Sequence, residues 1–218
     1  MKSSSSDHAL AVFKAALNCV PVIGGPIASL LGDYVPSSRQ RAAEKAAEML
    51  ADKVADLEER IDSKAIDQEQ FADLFGQFEA LLAKTNREEK LRAAVNILAN
   101  ALLPANDPNK SPFDELDHLM HCLDALSSGA IAVLGASIQI RAPNHASGAD
   151  RPFYFTELRQ QFPSHNPDLV FGLATELQHF NLLHITEGIV GSRDFENYLF
   201  RVTPLGSRFA ERFIEGKM

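Results

Sequence analysis

The sequence has no tryptophan and only two cysteines in 218 residues. Cys19 and Cys122 lie far apart, each in a stretch that reads as helix, which excludes a disulfide framework and suits a reducing cytoplasm. Cations are also scarce: 21 Lys and Arg face 29 Asp and Glu, for a formal net charge of −8. Phosphate backbones and anionic lipid are bound largely by neutralisation with Lys and Arg, so neither receives general electrostatic help from this chain. Absent too are a Gly-rich phosphate loop, a nucleophile elbow, a zinc-protease helix and a paired-cysteine motif. The expectation is therefore a non-enzymatic protein with no cofactor and no catalytic or metal-binding residues. A secretory signal is not expected either. The apolar run near the N-terminus contains Lys14 and meets Pro21, Gly24, Gly25 and Pro26 without a small-residue cleavage site.

What is present is an ordinary globular mixture, 45% hydrophobic and 23% charged, long enough for two domains of about 100 residues each. The first is expected over residues 1–104 as a helical bundle. Between Lys14 and Asp33 no residue is charged, but Pro21, Pro26 and the Gly24-Gly25 pair break any single helix there. This leaves a helical hairpin, either buried or touching a membrane through residues 20–36. Gly24, Ala28 and Gly32 recur every fourth residue with Gly25 alongside, a flat face suited to close helix packing in lipid or in a soluble bundle. Further on, Ala43, Ala47, Leu50, Val54, Leu57 and Ile61 alternate at four and three residues, the seam of one amphipathic helix over 38–61. Its partner is either within the chain or in a second copy, and Asp56 with Arg60 is expected to support it locally. Asp67 and Gln70 form a capping box before the apolar face Phe71, Leu74, Phe75, Phe78, Leu81 and Leu82. Residues 85–89 offer two overlapping boxes for a helix carrying Leu91, Ala94, Val95, Leu98 and Leu102, which Pro104 ends.

Residues 105–112, rich in Pro, Asn and Asp, read as a linker. The second domain, 113–218, opens with two helices parted at Ser128-Gly129, then a loop over 141–152. Thr156 is expected to cap a short helix, and Asn166 or Pro167 to start a longer one with Leu169, Val170, Leu173, Leu177 and Phe180 on its apolar face. The period then switches to two for strands at 184–186 and 198–202 around a Gly-containing loop at 188–197. Thr203 and Pro204 are the N-cap and first residue of a closing helix that buries Leu205, Phe209 and Phe213. On one helix Asp114, His118 and Cys122 fall every fourth residue beside His121, spacing that suits a transition metal if another element adds ligands. Leu116, Leu119, Met120 and Leu123 make the core face of that helix, which puts the row on the solvated side.

The order of elements over 130–214, together with the segment Tyr198-Leu199-Phe200-Arg201-Val202-Thr203-Pro204-Leu205-Gly206, resembles bacterial winged-helix domains. The resemblance implies a mainly α fold: a helical bundle followed by a winged helix with a two- or three-stranded β wing. It also implies that 166–183 is the recognition helix and 188–197 the wing. The N-terminal half is similar to a loose set of uncharacterised bacterial helical proteins with a Pro-Val-Ile-Gly-Gly-Pro-Ile-Ala-Ser-Leu-like hairpin. By analogy with helical-hairpin proteins of bacterial stress and phage defence, it extends to a membrane-active role.

A winged helix that reads DNA grips phosphates with Arg and Lys. The segment 166–183 has neither, and the carboxylates of Asp168 and Glu176 would face phosphate. The wing offers Arg193 among Glu187, Asp194 and Glu196; Arg159, Arg201 and Arg208 make at most a small basic patch. The expected role is docking of a protein partner, with Asn166, Thr175, Gln178, His179, Asn181, Arg193, Arg159 and Arg201 as contacts. Self-association or membrane contact is expected through Gly24, Gly25, Ala28, Gly32, Leu50, Val54, Leu57 and Ile61. The alternative is a dimeric winged-helix transcription regulator, which charge disfavours. The expected location is the cytoplasm, with membrane association through the hairpin as the variant.

Overall fold

A computed structural model describes residues 37–61, 66–141, 152–187 and 195–216. The expected hairpin at 20–36, with Gly24, Gly25, Ala28 and Gly32, lies outside the described residues, as does Arg193. The chain is mainly helical, with one three-stranded antiparallel sheet. It divides into two compact units between Asp124 and Ala125.

In the first unit, α1 (Ser37–Asp56), α2 (Gln68–Lys84) and α3 (Glu88–Ala101) pack together, followed by α4 (Phe113–Ala125). The α3 helix is the central one: every residue from Lys90 to Asn100 except Arg92 is buried. The six apolar residues expected on α2 are all buried, and Asp67 caps that helix by accepting from the N–H groups of Glu69 and Gln70. No side chain caps α3, whose N-cap is Arg87; Thr85 Oγ1 instead accepts from Arg87 N–H at 3.2 Å.

The seam on α1 differs from expectation in two ways. The helix stops at Asp56 and gives way to a short 3-10 turn at Glu58–Arg60, so Ile61 stands in extended backbone. The buried stripe is Ala42, Ala46, Leu50 and Ala51, while Ala43, Ala47 and Val54 are only half-buried. The alanines come in pairs, Ala42-Ala43 and Ala46-Ala47, so hydropathy does not distinguish adjacent faces and packing against α3 decides. Leu57 continues inward to meet Ala99 and Leu103, with Ile61 against them.

The segment expected to be a linker is fastened to the first unit. The Arg60 guanidinium, expected to pair with Asp56, forks onto both Asp107 carboxylate oxygens, at 3.0 and 2.8 Å. Fully buried Asn100 donates to Asn109 O at 2.7 Å and accepts from Ser111 N–H at 2.9 Å. Lys110 Nζ donates to the α3 terminal carbonyl of Ala101 at 2.7 Å, adding to the backbone N–H groups of Leu102 and Leu103 that bond to Ala99 O and Asn100 O. The α4 helix is tied to α2 by Gln77 to Asp117 and by Lys84 to Asp124.

The second unit runs α5 (Ser128–Arg141), β1 (Phe153–Tyr154), α6 (Phe155–Gln160), α7 (Pro167–His179), β2 (Leu183–Glu187), a 3-10 turn at Phe195–Asn197, β3 (Tyr198–Val202) and α8 (Pro204–Arg208). The last helix continues as a π-helical turn, Phe209–Ile214. Sheet order is β1-β3-β2. The two-residue β1 pairs with β3 through Phe153 opposite Phe200 and Tyr154 opposite Leu199. No strand was expected at that position, because two residues are too few to show a period. The α6 helix starts at Phe155 rather than after Thr156, with the Glu157 carboxylate accepting from Tyr154 N–H at 2.9 Å.

Aromatic rings make the core of this unit. Phe155 and Phe153 stack on Phe200 with centroids 5.8 and 5.7 Å away, and Phe171 of α7 meets Phe155, Phe200 and Tyr198 edge-on. The closing helix is seated largely as expected: Thr203 Oγ1 accepts from Gly206 N–H, and Phe209 and Phe213 are fully buried, but Leu205, also expected inside, is only half-buried. Gly206 is required there, since a Cβ on it would fall 2.0 Å from the carbonyl oxygen of Leu182.

Candidate functional site

The α7 helix is fixed at both ends by residues expected to contact a partner. Asn166 is its N-cap, Oδ1 accepting from Asp168 N–H at 2.9 Å, and Pro167 follows at a position where a missing N–H costs nothing. At the far end Asn181 takes a left-handed conformation, φ 56°, which an asparagine adopts more readily than most residues. Its carbonyl accepts from Thr203 Oγ1 at 2.6 Å, and Gln178 reaches Ile185 O at 3.4 Å. Asn166, Gln178 and Asn181 thus position the helix.

Val170, Ala174 and Leu177 are the buried positions of α7. The opposite side carries Asp168, Leu169, Gly172, Thr175 and His179, all exposed. Leu169 was expected in the core, yet it is 52% exposed. The apolar run from Leu169 to Leu173 covers more than one face, and the turn that meets the sheet selects Val170 and Phe171. The Thr175 hydroxyl bonds back to Phe171 O at 3.0 Å, and no Cβ at Gly172 would touch anything within 4 Å. The result is a flat, uncharged strip between Asp168 and His179.

Glu176 does not join that strip. Its carboxylate accepts from Ser127 N–H at 3.0 Å, at the start of α5, so one of the two acidic groups expected to face outward is held by the scaffold. Asp168 remains outward and exposed. Of the arginines, Arg159 lies 3.7 Å from Glu196. Arg201 sits on the solvent side of β3, opposite His184.

The row on α4 differs from its helical-wheel expectation. Cys122 is fully buried, and burial pushes its thiol up to about 12; His118 is exposed, with Nε2 3.4 Å from the sulfur. The position lies about 60° round the wheel from Leu119, at the edge of the core face and not behind it. Among the described residues no group of His, Cys, Asp and Glu is arranged to hold a metal ion. Leu50 and Leu57 of the expected self-association set are buried, and Val54 and Ile61 are half-buried.

Sequence reasoning missed Leu169 and Tyr154, the two large apolar side chains most exposed among the described residues. The signal for Leu169 was its place beside Asp168 and one turn from Gly172, off the line of Val170, Ala174 and Leu177. Among the described residues no single helix is long and apolar enough to cross a membrane. No protein family model, curated protein or solved structure matches the chain.

Proposed function

We propose that the chain is a non-enzymatic interaction protein whose second unit is a winged helix that docks protein instead of reading DNA. The succession α5, β1, α6, α7, β2, β3 with sheet order β1-β3-β2 supports the winged-helix reading, with α7 in the place of the recognition helix. The observation that carries the function is the solvent face of α7. It offers Leu169 and Gly172, has Asp168 at its head, and contains no Lys or Arg. A surface of this kind gains little from a polyanion, because duplex affinity grows with the number of phosphates neutralised. It gains from an apolar partner, since covering an exposed Leu contributes roughly 1.5–3 kcal/mol. In this reading the first unit, with residues 20–36, supplies membrane or partner attachment and acts as the effector half.

The rival is a dimeric transcription regulator, with Arg159 and Arg201 as its phosphate contacts. Titration of the full chain with a labelled mixed-sequence duplex over a salt series separates the two. Docking predicts no binding at physiological salt and a shallow slope at low salt. Affinity that survives physiological salt, with a log–log slope of several charges, overturns the proposal.

A further inference from the structure

Resting on the reading that the solvent face of α7 docks protein, we infer that its occupant is a second copy of this chain, which meets it with the outer surface of the β1-β3-β2 sheet. Leu169, 52% exposed, and Tyr154, 49% exposed, stand on different surfaces of the same unit. Tyr154 points away from the core because Phe153 beside it points in. The register sets Tyr154 and Thr186 on either side of Leu199, with Arg201 opposite His184 on the same side of the sheet. Tyr154, Thr186, Arg201 and His184 are exposed and Leu199 is half-buried. This surface therefore has an aromatic and aliphatic row beside a cationic one, with no carboxylate at any of the five positions. Arg201 has no ion pair among the described residues.

The α7 face is its converse: an exposed leucine next to an exposed aspartate, without a cation. Tyr154 and Leu199 match Leu169 and Gly172, and Arg201 matches Asp168. Opposite potentials on two patches of one molecule set the register of a contact between copies. The inner sides of α7 and of the sheet enclose the same rings, Phe171 meeting Phe200 at 6.1 Å and Phe153 meeting it at 5.7 Å. Their solvent sides consequently look away from each other. One copy cannot close the contact on itself, and each contact joins α7 of one copy to the sheet of the next. Such a head-to-tail arrangement adds copies as concentration rises, into an open chain or, where the rotation closes, a ring. With so few side chains a face, it buries less than the roughly 800 Å² per partner of a stable complex, so growth is weak and reversible.

Sedimentation of the full chain over a concentration series tests this, using Leu169→Glu to spoil the α7 face and Arg201→Glu to spoil the sheet face. The wild type is expected to gain mass with concentration. Each variant alone is expected to lose that gain, and their equal mixture to form a one-to-one pair that grows no further, because each copy keeps one sound surface. Tyr154→Ser replaces Arg201→Glu if circular dichroism shows the latter misfolded. A wild type whose mass does not rise, growth that persists in either variant, or a mixture that sediments as the sum of its components overturns the inference. If the chain does not grow and also ignores duplex DNA, only this inference falls; tight duplex binding removes the docking reading with it.

Discussion

In the helical unit that ends at Asp124, charged side chains hold one another across long stretches of sequence. Lys45 meets Glu88, Arg60 meets Asp107 and Lys84 meets Asp124. In the unit that begins at Ala125, Arg159 approaches Glu196 at 3.7 Å, and stacked rings around Phe200 form the core. The difference teaches where a surface is available for work. Both units close over buried apolar side chains, and the largely exposed pairs add little to the first; in the second, an aromatic core draws Phe200 inward and leaves Leu169 and Tyr154 in water.

Phe200→Ala tests the second half of that contrast and carries the largest expected effect, a loss of about 4 kcal/mol. Hydrogen exchange should show protection falling in α5 to α8 while α1 to α3 keep theirs; equal loss in both units would break the contrast. Next comes Gly206→Ala, with a loss of about 3 kcal/mol, because the new methyl would meet the Leu182 carbonyl oxygen and not a movable side chain. A melting temperature within a degree of wild type would show that the closing helix is not seated there.

Two further substitutions probe the polar closure of the first unit. Asn100→Leu leaves the Ser111 N–H without its acceptor and should cost about 2 kcal/mol in denaturant unfolding. Asp107→Asn removes the charge that Arg60 holds and is expected to cost about 1 kcal/mol. Hydrogen bonding from Arg60, then from Asn109, holds the Asp107 carboxyl below its ordinary range. The folded value lies under the unfolded one, so the contact stabilises fully above the ordinary carboxylate range and is lost as pH falls through the lowered value. The wild type should therefore lose stability faster than Asp107→Asn on acidification; parallel pH profiles would show that the fork contributes nothing. Smallest is Leu169→Glu, expected within about 0.5 kcal/mol of wild type in thermal melts because the side chain faces water.

Much of this was legible in the residues. Phe71, Leu74, Phe75, Phe78, Leu81 and Leu82 share one helical face, and large apolar side chains at that spacing leave a single solution. Asp67, Asn166 and Thr203 each cap a helix through a bond to a backbone N–H two or three residues on, and local chemistry of that kind is written locally. What was not legible depends on distant partners. A Pro, Asn and Asp composition fits a free linker and a fastened loop equally, and the contacts that make 105–112 the second come from Asn100 and from Arg60, 47 residues before Asp107. Glu176 reads as an outward carboxylate until Ser127, 49 residues earlier, is placed beside it. The α1 stripe shifted because paired alanines carry no hydropathy contrast. Leu169 stood out only once the sheet had chosen which side of α7 to cover.

What touches that side decides the role of α7. A benzophenone side chain placed at position 169 of the full chain and activated by light in intact cells reports its neighbour directly. The account predicts adducts made of polypeptide, lost when the same group is moved to the buried position 170. Adducts made of nucleic acid would contradict it.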